Sequence, residues 1–214
     1  MPKKQYKIVL IGSSGAGKTS IAVRMMKNKF DNNNNSTIGA SYFSLKKNYI
    51  DPDNIITTND NIELQIWDTA GQERYKCLIP MYLRKCDVII IVYDIIDPNY
   101  KNLNYWIKYV NDMYENNENK PIIYLVGNKF DLLDNKDDLN AIKLKKDEII
   151  KNIKLLGCEI KNHILVSAKL GYKVKELFYN IYSLLIKNED DIGKDESIIL
   201  EIEKENNIGI CCKY

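Results

Sequence analysis

Along this chain, apolar runs of strand length alternate with stretches in which apolar positions recur every three or four residues, the signature of strands and helices laid down in turn. Tyr6-Lys7-Ile8-Val9-Leu10-Ile11 predicts a first strand, and Ile21, Ala22, Met25 and Met26 predict a helix soon after it. From Phe30 the polar stretch Asp31-Asn32-Asn33-Asn34-Asn35-Ser36 has no periodicity and reads as a mobile loop ending at Thr37-Ile38-Gly39. Tyr42 to Lys46 and Ile62 to Trp67 alternate as two strands of a hairpin. Their connection, Asn48 to Asn61 with the turn signal Asp51-Pro52-Asp53-Asn54, is unusually long.

Val88 to Tyr93 and Ile122 to Val126 are continuous apolar runs, as expected of parallel strands covered by helices on both faces. Between them Leu103, Trp106, Ile107, Val110 and Met113 mark a helix from Tyr100 to Tyr114 with Trp106 in the core; Glu115 to Pro121 ends it. A helix from about Leu139 to Leu156, stopped by Gly157, leads to the strand Ile164-Leu165-Val166, preceded by His163. Val174, Leu177, Phe178, Ile181, Leu184 and Leu185 mark a last helix. The fold class that follows is α/β: a six-stranded, mostly parallel sheet with one antiparallel edge strand and helices on both faces.

Composition narrows the picture rather than redirecting it. With 214 residues and a net charge of +2, the chain is most simply one domain with appendages, and nothing in the charge points to nucleic acid. The start Met1-Pro2 offers no myristoylation glycine and no secretory signal, and no apolar run spans a bilayer, so a cytosolic protein is expected. Cys77, Cys86 and Cys158 lack metal-ligand spacing and are expected to behave as small apolar residues. His163, the only histidine, has no catalytic partner in sequence.

The chemistry lies at the strand ends. Gly12-Ser13-Ser14-Gly15-Ala16-Gly17-Lys18-Thr19 stands between the first strand and the first helix, as a phosphate-binding loop does. There backbone N–H groups and the helix N-terminus face the phosphates, Lys18 reaches the β- and γ-phosphates, and the Thr19 hydroxyl ligates Mg²⁺. Asp68-Thr69-Ala70-Gly71-Gln72 follows a strand, placing Asp68 to hold Mg²⁺ through water and the Gly71 amide beside a terminal phosphate. Asn128-Lys129-Phe130-Asp131 ends another strand. Asp131 accepts from the N1–H and 2-amino edge of guanine, which adenine lacks, and Asn128 reaches N7 or ties neighbouring loops together. In Ser167-Ala168-Lys169 the Ala168 N–H suits guanine O6.

Together these residues resemble the Ras superfamily of small GTPases, and within it the Rab family, over roughly Tyr6 to Lys187 plus the tail. Rab character is carried by Ile38-Gly39-Ala40-Ser41-Tyr42, by Leu64 through Tyr75, and by Ile91-Val92-Tyr93-Asp94-Ile95; Ala40 and Pro80-Met81-Tyr82 look most like the early-endosomal subgroup. The resemblance implies the P-loop GTPase fold over 1–187, GTP or GDP with Mg²⁺ as ligands, and a monomer. It implies that Ser14 to Ser20 line the phosphates, that Thr37 coordinates Mg²⁺ and senses the γ-phosphate, and that Phe30 and Lys129 flank the base, with Ser167, Ala168 and Lys169 beside it. Gln72 would orient the attacking water. Tyr42, Trp67 and Tyr82 resemble the aromatic triad that meets effectors. Tyr82-Leu83-Arg84-Lys85-Cys86 and the long 47–61 connection depart from the usual Rab pattern beside that surface.

The stretch 188–214 is polar and acidic and reads as a flexible linker. Its Cys211-Cys212 resembles the double-cysteine signal that takes two geranylgeranyl groups. The implied partners are an exchange factor, an activating protein, effectors at both switches, an escort protein, a GDP-dissociation inhibitor and the cytosolic face of an intracellular membrane, endosomal by the subgroup resemblance, with cycling through the cytosol. Two rival classes are weighed against this: Asp131 argues against a P-loop kinase or ATPase, and Gln72 against a binding module that does not hydrolyse.

Overall fold

The computed structural model describes residues 4–31, 36–46, 62–97, 101–133, 147, 149–151, 153 and 158–190. The loop positions 32–35, the connection 47–61, most of the helix expected over 139–156 and the chain from 191 onward, with Cys211 and Cys212, lie outside the described residues.

The strands are β1 (Lys4–Ile11), β2 (Ala40–Lys46), β3 (Ile62–Thr69), β4 (Val88–Asp94), β5 (Ile122–Asn128) and β6 (Asn162–Leu165), in the order β2-β3-β1-β4-β5-β6. Only β2, at the edge, runs antiparallel, paired with β3 so that Tyr42 faces Trp67. Helices α1 (Lys18–Lys27), α2 (Ile79–Leu83), α3 (Lys101–Tyr114) and α4 (Val174–Asp190) complete the layers.

Two apolar cores result from period-two alternation in the central strands. Ile8, Leu10, Val88, Ile90, Tyr124 and Val126 point to one face, where α1 and α4 cover them with Ile21, Met25, Leu177, Phe178 and Ile181. Val9, Ile11, Ile89, Ile91, Ile123 and Leu125 point to the other, beneath Leu103, Trp106, Ile107 and Val110 of α3 and Leu83 of α2.

Four features differ from the sequence reading. The last strand ends at Leu165 and contains His163, whose Nε2 is 2.8 Å from the Tyr93 hydroxyl, because pairing with β5 begins at Asn162 opposite Tyr124. A 3-10 helix, Glu73–Leu78, runs into α2, with Pro80 in the first turn where its missing N–H costs nothing. Cys77, on that segment, is exposed, unlike the buried Cys86 and Cys158. Finally α4 continues through Asp190, into the stretch expected as tail.

Candidate functional site

Parallel strands deliver their carboxyl ends to one edge of the sheet, and the order reverses beside β1, the place where α/β sheets bind ligands. From Ile11 the chain turns through Gly12 to Gly17 into α1. Gly12 (φ +139) passes so near β4 that a Cβ would stand 2.1 Å from the Val92 carbonyl oxygen. Gly17 (φ +90) precedes α1, whose first N–H groups have no partner within the helix. Lys18 is 5% exposed, and its ammonium donates to Gly12 O (2.8 Å) and Ser13 O (2.9 Å). Burial pushes its pKa down to about 8, opposed by the Asp68 carboxylate. A buried ammonium beside a glycine-rich turn that opens the N-terminus of a helix is a site for a polyanion.

Asp68, fully buried at the end of β3, accepts from Thr19 Oγ1 at 2.6 Å, and Thr37 Oγ1 lies 3.4 Å from the same carboxylate oxygen and 2.8 Å from Thr19 Oγ1. Its other oxygen, Oδ1, is buried with no hydrogen-bond partner among the described residues. Burial pushes the Asp68 carboxyl up, while the Thr19 hydroxyl, Lys18 and Thr37 pull it back. One carboxylate with a spare oxygen and two hydroxyls is a hard-oxygen set that fits Mg²⁺, an ion that keeps water and phosphate among its ligands.

A cavity of about 310 Å³ opens on this cluster. Ser14, Gly15, Gly17, Lys18, Thr19, Ser20 and Phe30 line one side of it, Thr37, Gly71 and Gln72 the other. Gly71 lies so close that a Cβ would stand 2.3 Å from Lys18 Nζ and 2.6 Å from Ser14 N. The side-chain oxygen of Gln72, Oε1, accepts from Arg74 Nε at 2.6 Å. On the other side of the loop, a cavity of about 280 Å³ is lined by Ser14, Gly15, Ala16 and Lys129.

The base-reading residues form one connected set. Asn128, 2% exposed at the end of β5, donates through Nδ2 to Ala16 O (2.9 Å) and accepts at Oδ1 from Ala168 N (3.1 Å). Of the two roles open to it in the sequence, the structure displays loop tying. Ser167 Oγ donates to Asp131 Oδ1 (2.5 Å), and Lys169 Nζ stands 3.9 Å from Asp131 Oδ2. Lys129, left-handed at φ 71, pairs with Asp94 at 2.6 Å. Phe130 stacks on Tyr172 with centroids 5.1 Å apart.

Tyr42, Trp67 and Tyr82 are in line, with centroid separations of 5.2 and 5.8 Å. Tyr42 is 49% exposed, and Ile38 (81%) and Met81 (58%) add apolar surface, so this row is not simply core. Sequence reasoning missed two residues. Asp94 was legible as an acid at a strand's carboxyl end; Arg24, bonded to the carbonyls of Ala168 and Lys169, had no signal because its partners are backbone.

The model of the Ras family matches residues 7–187, which takes in the phosphate loop, the Asp68 cluster and both base-side loops. The chain therefore belongs to the Ras family, the small GTPases that bind GTP and GDP with Mg²⁺, act as switches, and answer to exchange factors, activating proteins and effectors.

Proposed function

We propose that this chain is a Rab-type switch of vesicle-mediated transport, acting at an endosomal or endocytic step and hydrolysing GTP slowly until an activating protein assists. The observation that carries the reading is the meeting of Thr19 and Thr37 hydroxyls at Asp68, under the cavity that Lys18 and Gly71 also face. Thr37 precedes β2 and Gly71 follows β3, so two separate segments answer to whatever occupies one place. The aromatic row Tyr42, Trp67 and Tyr82, with Tyr42 exposed and the other two half-buried, supports the Rab half, beside the sequence resemblance.

In this reading Lys18 and the N–H groups of Ser14 to Ser20 bind the phosphates, and the Gly71 N–H donates to the γ-phosphate. Thr19, Thr37 and, through water, Asp68 would hold Mg²⁺, which supplies neutralising charge on the phosphate oxygens. Asp131 takes the N1–H and 2-amino group of guanine and Ala168 N–H donates to O6, while Phe30 and Lys129 flank the base. Gln72 orients the water that attacks the γ-phosphorus, releasing GDP and phosphate. Arg74 occupies the Gln72 side-chain oxygen Oε1 that this role needs, which agrees with slow unaided hydrolysis. An arginine from a partner is worth about 10³ to 10⁵ in rate in this chemistry.

Residues 1–187 form the switch domain in this proposal and 188–214 the tether. Cys211 and Cys212 take two geranylgeranyl groups with the help of an escort protein, and a GDP-dissociation inhibitor returns the protein to the cytosol.

Competition between GTP and ATP followed by single-turnover phosphate release tests the enzyme. We expect GTP to win, and Gln72→Leu to bind GTP normally while losing both intrinsic and assisted hydrolysis. Preference for ATP, or an undiminished rate in Gln72→Leu, would overturn the assignment. Imaging the GTP-locked Gln72→Leu protein in its native cells tests the compartment, and a steady location away from endosomes refutes it.

A further inference from the structure

Lys129 is flanked by two anchored residues, and its ammonium is anchored as well. Before it, the Asn128 main-chain oxygen accepts from Ile95 N at 3.1 Å, and the Asn128 side chain bridges Ala16 and Ala168. After it, Phe130 N donates to Val166 O at 3.1 Å. Between these fixed points Lys129 takes a left-handed φ of 71° and caps the short 3-10 helix Phe130–Leu132. With the backbone set, what remains to be fixed is a flexible four-carbon stem with an ammonium at its end. Asp94, the last residue of β4 and the register partner of Asn128, fixes that end: Lys129 Nζ donates to Asp94 Oδ2 at 2.6 Å. The carboxylate is itself held, because its other oxygen, Oδ1, accepts from Ile96 N at 3.0 Å. The two side chains are 34% and 23% exposed, so water competes for the pair and it adds little to the stability of the fold. Its effect lies in geometry. Asp94 and Lys129 line the cavity of about 280 Å³ together with Ser13, Ser14, Gly15 and Ala16, so the tethered stem stands beside the phosphate loop.

We infer that Asp94 is a positioning residue for guanine binding: by holding the Lys129 ammonium at the end of β4, it presets the stem that lies along the base. The inference rests on the proposed reading that Lys129 flanks the base. Asp94 acts through Lys129 rather than on the nucleotide itself. An untethered lysine stem samples many rotamers and must surrender them when the base arrives, whereas a tethered stem has lost them already. Asparagine in place of Asp94 keeps an acceptor for Ile96 N, and with it the 94–96 turn, while giving up the charge that holds the ammonium.

Dissociation of GDP carrying a fluorophore on its ribose, chased by excess GDP in the presence of Mg²⁺, tests this in wild type, Asp94→Asn, Lys129→Ala and the double variant. Asp94→Asn should speed dissociation about three- to tenfold, the scale of ordering one long side chain, and Lys129→Ala at least as much. In the Lys129→Ala background, Asp94→Asn should bring no further acceleration, because the group it acts through is gone. A role confined to shaping the 94–96 turn would instead multiply the rate by the same factor in both backgrounds. Melting temperatures of the same proteins record any general loss of stability separately. Equal factors in the two backgrounds, or a wild-type rate in Asp94→Asn, overturn the positioning role while leaving the base contact of Lys129 standing. A wild-type rate in Lys129→Ala overturns that base contact, and the inference with it.

Discussion

Cys86 and Cys158 are buried thiols, and burial pushes the pKa of each up; Cys86 also shares a 3.2 Å contact with the Tyr114 hydroxyl, which donates to Leu83 O. Cys77, one turn into the 3-10 helix, is exposed and makes only a 3.9 Å contact to Arg74 O. The thiolate is the reactive form, so access and ionisation act together. Brief alkylation of the native protein at pH 8, read by peptide mass spectrometry, should modify Cys77 at least about tenfold faster than either buried thiol. Comparable rates at Cys77 and Cys86 would mean that α2 opens readily from the sheet. None of this was legible in the chain, where the three cysteines look alike. Their difference depends on the segment 73–83, whose 3-10 start follows neither of the two periodicities that marked the other elements.

At the scale of the element, the phosphate loop was the most legible part of the chain, because its glycines answer to backbone geometry as well as to chemistry. Gly12 and Gly15 both have positive φ, but only Gly12 is closed in, by the main-chain oxygen of Val92, whereas a Cβ on Gly15 would meet nothing within 4 Å. Gly15→Ala should therefore cost only the left-handed strain, about 1 kcal/mol, while Gly12→Ala, which must also part β1 from β4, should cost about 3 kcal/mol or more. Urea unfolding of the nucleotide-free proteins measures both, and equal losses would show that the loop yields instead of the sheet. The strands around the loop were legible for a related reason: alternating burial on two faces demands nearly uniform apolar runs, which β4, β5 and the second half of β1, from Ile8 to Ile11, display. The ends were not, because β6 gains its first residues from pairing with β5 rather than from any pattern of its own.

Across the whole molecule, the site is built from pieces far apart in sequence that one rule brings together: Lys18, Asp68, Asn128 and Ser167 each follow or end a strand whose carboxyl end meets the same edge. Side chains that bond only to main-chain oxygen, as Arg24 does, escape that rule, since carbonyls carry no residue identity. Within the described residues α4 starts at Val174 near the base loops and runs about 25 Å to Asp190, away from that edge, at a rise of 1.5 Å per residue. Membrane attachment in the proposed reading then depends on Cys211 and Cys212 alone, beyond a stretch in which Asp195, Glu196, Glu201, Glu203 and Glu205 outnumber Lys194 and Lys204. Such a stretch gains nothing from an anionic leaflet, so it cannot supply the second signal that one lipid chain needs for stable anchoring. Cys211→Ser and Cys212→Ser should each release most of the protein to the soluble fraction on native-cell fractionation, with the double variant only slightly worse. A single variant that stays on membranes as wild type does would mean that the body of the protein, or a partner bound to it, contributes the missing attachment.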